Sequence, residues 1–387
     1  MKKTLKKVSV LFITLAMVLG LTACGGADYT SENTEYVIGV SGPLTGDAAV
    51  YGVAVKNAAQ MAVDEINEAG GLNGIKFKLE ATDDTQDAKK VATNYATMYE
   101  GGMQVSLGTV TTAPGLEYSK LSAEDNVFFL TPSASGDDIP AEDNGFQMCF
   151  ADGNQGKVAA DYVNSLGLKE IGIFYKSDDP YSNGIYKQFK DNLDSSIKTV
   201  EAVFMGKSQD FSAQITTLKD CSFIFMPIYY QPASVFMTQA KDTIAADAIY
   251  YGCDGFDGLA GQFKDFSVIP QEVSMLSHFD SNATEGAAAD FVKKYTEKYG
   301  TDTLNQFGAS AYDCVYAIYN AMKAAVDAGE EIDVTISASD LCEILKAQFT
   351  GGFSYSGVTG NDITWEDNGY VSKEAVKYTL KEANSAQ

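Results

Sequence analysis

The chain contains no arginine: all 28 of its basic residues are lysine, set against 52 aspartates and glutamates for a formal net charge of −24. Without a guanidinium there is no bidentate clamp for carboxylate or phosphate, so a bound anion must rely on hydroxyls, backbone N–H groups or an ammonium. A chain this acidic is not expected to bind nucleic acid or to adhere by charge to anionic lipid. Histidine is nearly as scarce. His278 is the single one, which excludes a His-rich metal site and leaves Ser-His-Asp or Cys-His catalysis one candidate base. It falls in Val273–Phe279, read as a strand, and is expected to be structural. The six cysteines include no CxxC pair, so neither a zinc knuckle nor a dithiol redox motif is indicated. Cys149, Cys221, Cys253, Cys314 and Cys342 are irregularly spaced and mostly lie in apolar runs, as buried free thiols do. GxSxG and GxxxxGK[ST] are also missing, which removes the strand-to-helix serine nucleophile and the phosphate loop. The expectation is therefore a protein that performs no chemistry, with no metal and no cofactor.

Long uncharged runs are missing as well, except at the start. Lys2, Lys3, Lys6 and Lys7 precede an uncharged stretch from Val8 to Ala23, and residues 1–23 read as a secretory leader too short for a convincing bilayer span. Leu21-Thr22-Ala23-Cys24 resembles the lipobox of bacterial lipoproteins, which implies lipidation of Cys24 as the first mature residue. From there to residue 35 the chain is small and polar and cannot bury a core, as suits a tether holding a body close to a membrane.

What remains is long enough for two domains. Tyr36–Val40 is a continuous apolar run followed by Ser41-Gly42-Pro43 and a helical pattern through Ile66. Ile75–Ala81 alternates as a strand, and Asp83-Asp84-Thr85 is read as the start of a helix reaching about Tyr99. Val105–Gly108 ends in glycine and runs into Thr109-Val110-Thr111-Thr112, then a helix from Pro114 to Asp125. Val127–Leu130 leads into Thr131-Pro132-Ser133-Ala134-Ser135. A second series follows Phe150, with strands at 171–175, 199–203, 223–226, 248–251 and 273–279. Helices are expected near 285–299, 306–328 and 337–349, and short strands and turns after Gly351. Strands alternating with helices predict an α/β fold with two doubly wound, parallel-sheet lobes. In such sheets ligands sit beyond the carboxyl ends of the strands, where helix N–H groups and hydroxyls converge.

Several motifs occur in an order resembling one family over nearly the whole mature chain. They are Ser41-Gly42-Pro43-Leu44-Thr45-Gly46, Asp64-Glu65-Ile66-Asn67 with Gly70-Gly71, Gly108 with its hydroxyl corner, and Thr131 to Ser135. Asp152 with Gln155-Gly156, Tyr181-Ser182-Asn183-Gly184, Asp210-Phe211-Ser212, Gly252-Cys253-Asp254-Gly255 and Gly357-Val358-Thr359-Gly360 continue the series. Together they are similar to the type I periplasmic binding proteins of the branched-chain amino acid (leucine/isoleucine/valine) group. That resemblance implies two lobes joined by a three-strand hinge, a small ligand closed between them, and delivery to an ABC permease. By analogy lobe one holds 36–150 and 279–350, and lobe two holds 151–278 and 351–387.

The resemblance also carries over individual positions. Thr112, Ser133 and Ser135 would hold the α-carboxylate and part of the ammonium of an amino acid, and Asp254 would pair with the ammonium. Tyr181 and Tyr229 would come from lobe two, Tyr51 would contact the ligand side chain, and Phe307 would line the same pocket. Two departures are visible: Thr111 stands where the group has a cysteine, and Asp254 where it has glutamate. The chemistry of the residues agrees in one respect, since hydroxyl donors with one acid suit a zwitterion, whereas a purely anionic ligand would be repelled by Asp254. Each residue also has a plainer role open to it: Thr112 as a helix cap, Asp254 as a turn former, and the tyrosines as core. Tyr230 is expected to face away from Tyr229, as strand neighbours do. A sensor of the same fold working through a membrane partner, or a binder of a non-amino-acid small molecule, are the alternatives.

Overall fold

The computed structural model describes residues 33–382. The expected leader and Cys24 lie outside the described residues. Two sheets organise the chain. The first comprises β1 (Tyr36–Gly42), β2 (Phe77–Asp83), β3 (Val105–Thr109), β4 (Phe129–Thr131) and β5 (Gly145–Gln147), in the order β2-β1-β3-β4-β5. All of its pairings are parallel. The helices α1 (Ala49–Glu68), α2 (Val91–Glu100) and α3 (Thr112–Glu124) connect these strands. The second sheet is built from β6 (Glu170–Lys176), β7 (Lys198–Phe204), β8 (Phe223–Met226), β9 (Ile249–Gly252), β10 (Glu272–Ser277) and β11 (Val376–Lys381). Its order is β11-β10-β9-β8-β6-β7, with α4 (Asp152–Ser165), α5 (Pro180–Asn192), α6 (Ser212–Leu218) and α7 (Tyr230–Ala240) between strands. After β10 the chain returns to the first lobe as α8 (Gly286–Tyr299), α9 (Gln306–Asp327) and α10 (Ala338–Thr350). Of these, α9 packs on α1, β3 and β4, and α10 on β3.

The chain thus passes between lobes three times: from β5 to α4, from β10 to α8, and from α10 to β11. The expected fold class of two doubly wound lobes on a three-strand hinge is what the topology shows, with one difference. β11 pairs antiparallel with β10, so the second sheet has an antiparallel edge. Before reaching β11, the third passage lies against the first sheet: Gln147 N donates to Gly369 O at 3.0 Å and Trp365 Nε1 donates to Gln147 O at 2.7 Å. Only the last strand of the 351–382 segment joins the second sheet.

Local physics accounts for other differences. The helix expected from Asp83 begins only at Val91, because both aspartates fold back on the turn. Asp83 Oδ1 accepts from Thr85 N at 2.9 Å and Asp84 Oδ1 from Gln86 N at 2.8 Å. Thr85 and Gln86 then take φ of 51° and 61°, which a right-handed helix cannot include. His278 falls just beyond β10 rather than within a strand. Its Nε2 lies 2.7 Å from Ser310 Oγ on α9, fastening the second passage to the first lobe, and burial holds its pKa well below 6.5 so that the ring is neutral. All five cysteines from Cys149 onward are buried and unbridged. No helix among the described residues is long and apolar enough to cross a membrane.

One apolar cluster runs through both lobes, taking in Tyr51, Val110 and Phe307 from the first and Ile228, Tyr230 and Phe256 from the second. Contact of this kind is possible only with the cleft closed.

Candidate functional site

The first wall of the cleft is made at the carboxyl ends of β3 and β4. Gly108 ends the β3 run at φ +59°, where a Cβ would also meet the Phe129 ring at 3.0 Å. The chain then turns into α3 with Thr111 extended at the cap position (φ −118°, ψ 151°) and Thr112 as first helical residue. Neither threonine caps the helix. Their hydroxyls are buried without a hydrogen-bond partner, an expensive arrangement unless something in the cleft engages them. The Thr112 N–H faces the Tyr229 hydroxyl. Next to it, Thr131 Oγ1 donates to Thr109 O at 2.8 Å and accepts from Ala134 N at 3.1 Å. Gln147 Nε2 holds Ala134 O and Gly136 O from β5, so the loop bearing Ser133 and Ser135 is fixed from both sides.

The opposite wall belongs to the second lobe. Asp179 caps α5 by accepting from Ser182 N at 3.3 Å, with Pro180 at the first position, and this places Tyr181 at the cleft. Tyr181 OH donates to Asp254 Oδ1 at 2.7 Å and accepts from Gly255 N at 2.9 Å. Asp254 opens the tight turn after β9, and its N–H donates to Gln155 Oε1 at 3.0 Å. Tyr229 occupies the N-cap position of α7 without a side-chain capping bond, and stacks on Tyr181 with centroids 4.5 Å apart and planes at 11°. From the first lobe, Tyr51 OH reaches across to donate to Gly255 O at 2.5 Å, and its ring packs edge-on against Phe307 at 4.7 Å.

Tyr51, Thr112, Ser133, Ser135, Tyr181, Tyr229, Asp254 and Phe307 line one enclosed space together with Val110 and Gly255. Thr111 does not line it. It lines the adjoining open cleft of about 500 Å³, and Tyr229 lines both spaces. The enclosed space is about 10 Å³, room for about one water, so a larger guest enters only as the lobes part.

Burial pushes the Asp254 carboxyl up to about 6, although the Tyr181 hydroxyl, Gln155 and the Gly255 N–H favour its charge. Asp152 behind it is raised further, first by burial and then by Asp254. No lysine lines the enclosed space, so a cation brought in from outside would relieve this acid directly.

The sequence reading missed Val110, Gly255 and the supporting pair Asp152 and Gln155 as contributors to the site. Tyr230 does not line the enclosed space, as expected, although the reason is not strand alternation: a helix starts there, and its ring packs behind the site against Tyr51 at 4.9 Å. The D-x-x-Q-G spacing was the available signal for Asp152 and Gln155. Among the described residues no group of three or more His, Cys, Asp or Glu is arranged to hold a metal.

The chain is similar to proteins of known sequence and structure. A Leu/Ile/Val-binding protein of Rhizobium johnstonii is 28% identical over 361 residues, covering 90% of this chain and 95% of that one. The substrate-binding protein LivJ of Streptococcus pneumoniae, solved with isoleucine, superposes with a TM-score of 0.76 at 25% identity, covering 89% of this chain and all of that one. A Rhodopseudomonas palustris solute-binding protein solved with benzoate has the same fold, at a TM-score of 0.76 and 16% identity over 91% of this chain and 95% of its own. With the periplasmic binding protein model matching residues 35–376, and two lobes closed over a polar and aromatic pocket, the chain belongs to the periplasmic binding protein family.

Proposed function

We propose that the protein is the extracytoplasmic substrate-binding component of an ABC importer, that its ligand is an α-amino acid, and that Cys24 carries a lipid anchoring it to the membrane. The observation that carries the ligand class is the opposition of the two walls. Donors converge on one side, from the orphaned Thr112 hydroxyl, Ser133, Ser135 and the start of α3, and a buried acid with no cationic neighbour lies on the other. A carboxylate is stabilised at the first wall by N–H and O–H donors and the helix dipole. An ammonium is stabilised at the second by Asp254, oriented through Tyr181. The ligand side chain falls among Tyr51, Phe307, Val110 and Tyr229. Relatives that bind leucine, isoleucine or valine make an apolar side chain the first choice to test.

A thermal-shift screen of the free amino acids tests this reading. A ligand at 100 times its Kd adds about 2.7 kcal/mol, which is readily visible as a rise in melting temperature. A response to benzoates and none to amino acids would overturn it, and aromatic lining together with the benzoate-bound fold neighbour makes that the outcome to include. Globomycin-type inhibition of lipoprotein processing, or a Cys24→Ala variant recovered in the soluble fraction, tests the anchor.

A further inference from the structure

The first turn of α9 is capped by two different residues from two different lobes. Asn305 Oδ1 accepts from Phe307 N at 3.1 Å and Gly308 N at 3.0 Å, while its amide donates to Val50 O at 3.2 Å, so this cap lies wholly within the first lobe. The remaining N–H, that of Gln306, goes to Asp257 Oδ2 at 2.8 Å. Asp257 comes from the second lobe. It belongs to the turn that carries Asp254, and its own N–H donates to Asp254 O at 2.9 Å. It does not line the enclosed space.

We infer that Asp257 is a positioning residue for ligand capture, forming with the N-terminus of α9 a contact that exists only when the lobes are closed. This rests on reading the cleft as the ligand site. A carboxylate at a helix N-terminus gains from both the free N–H and the dipole. In an open molecule the Gln306 N–H turns to water, so the contact discriminates between the two states, and only such differential contacts shift a conformational equilibrium. The neighbouring residue on α9 is Phe307, packed on Tyr51. Seating the Asp254 turn on this helix therefore sets the distance between the acid that meets the ligand's charge and the aromatic wall that meets its side chain.

The test compares the mature chain with Asp257→Ala and Asp257→Asn by calorimetry with the best amino acid from the screen, and by small-angle scattering with and without it. Asp257→Ala is expected to weaken binding about tenfold or more. Its ligand-free melting temperature should stay at the wild-type value, its ligand-free radius of gyration should equal or exceed that of wild type as the closed fraction falls, and the contraction on adding ligand should be less complete. Asp257→Asn, which keeps an acceptor oxygen and loses the charge, should fall between. Binding by Asp257→Ala within twofold of wild type overturns the inference, as does a fall in ligand-free melting temperature that accounts for the whole loss, since that marks a residue needed only for folding. If wild type binds no amino acid, the amino-acid reading fails separately. Dyes at Glu124→Cys and Lys219→Cys, exposed on opposite lobes, then report closure without ligand: Asp257→Ala lowers the closed fraction if Asp257 is a latch and leaves it unchanged if not.

Discussion

Asp254 is held in the closed cleft against the tendency of burial to neutralise it, with support only from neutral donors. Its value of about 6 lies above that of an unfolded aspartate, so the stability tied to it is complete below about pH 4 and lost as pH rises through 6. Asp254→Asn is accordingly expected to raise the ligand-free melting temperature at pH 7.5 by a few degrees, with no gain at pH 4, while abolishing amino-acid binding; scanning calorimetry at the two pH values checks the first part. The same value fixes the pH dependence of binding. A ligand ammonium favours the ionised acid, so capture below pH 6 must expel a proton, and affinity should be flat above about pH 7 and decline towards tenfold per unit below 6. A titration series from pH 5 to 8 in one ionic strength would show it, and an affinity rising towards acid would contradict the pairing. Tyr181, which orients Asp254 by one bond and the next peptide by another, was recognisable from its motif. Asp152 and Gln155 stood out as a D-x-x-Q-G motif but were given no place in the site, because their effect passes through Asp254 rather than through the cavity, and a motif does not say which group it supports.

Among the elements, α3 illustrates how a strand-to-helix corner can be read from glycine, hydroxyls and a following helical pattern. The reading places the helix start near Pro114, two residues late, because Pro114 is itself acceptable in the first turn and Thr112 has no outward mark of its position. The orphaned Thr112 hydroxyl makes a separable prediction. Thr112→Val conserves shape and removes an unsatisfied polar group, so ligand-free stability should hold or rise by about 1 kcal/mol. Amino-acid affinity should fall about tenfold in the same variant. Loss of stability together with unchanged affinity would return Thr112 to a packing role. One strand, β5, escaped the sequence reading, and another, β11, fell unplaced inside a tail read only as short strands and turns, both for physical reasons. β5 is the three residues Gly145–Gln147, shorter than any periodicity can register, and β11 is partly or fully exposed along its length, so no apolar alternation marks it. A continuous apolar run or a clean alternation marks a strand, and β5 is too short to show either while β11 is too exposed.

At the scale of the molecule, the two-lobe design was legible because each lobe repeats strand-helix alternation, whereas the path of the third passage was not. Trp365 and Gly369 hold that passage to the first sheet through bonds to Gln147 of β5 that only the tertiary fold creates. The five cysteines give a global test of the closed packing. All are buried and free, and burial raises each thiol above its usual range. A thiol reagent should therefore label none of them in the native protein at pH 8 and all five after denaturation, with reductant leaving the melting temperature unchanged. Rapid native labelling of Cys149 or Cys253, beside the cleft acids, would mean that the lobes open widely and often.

Trp365 is the one indole in the chain, and its N–H is bound to Gln147 O at the point where the first passage leaves the sheet. It is also packed on Phe349 with ring centroids 4.5 Å apart. The protein thereby carries an intrinsic optical probe in the mechanical joint, distant from any dye chemistry and needing no substitution. Stopped-flow emission from this single residue can time the closing stroke itself, independently of how tightly the ligand is held.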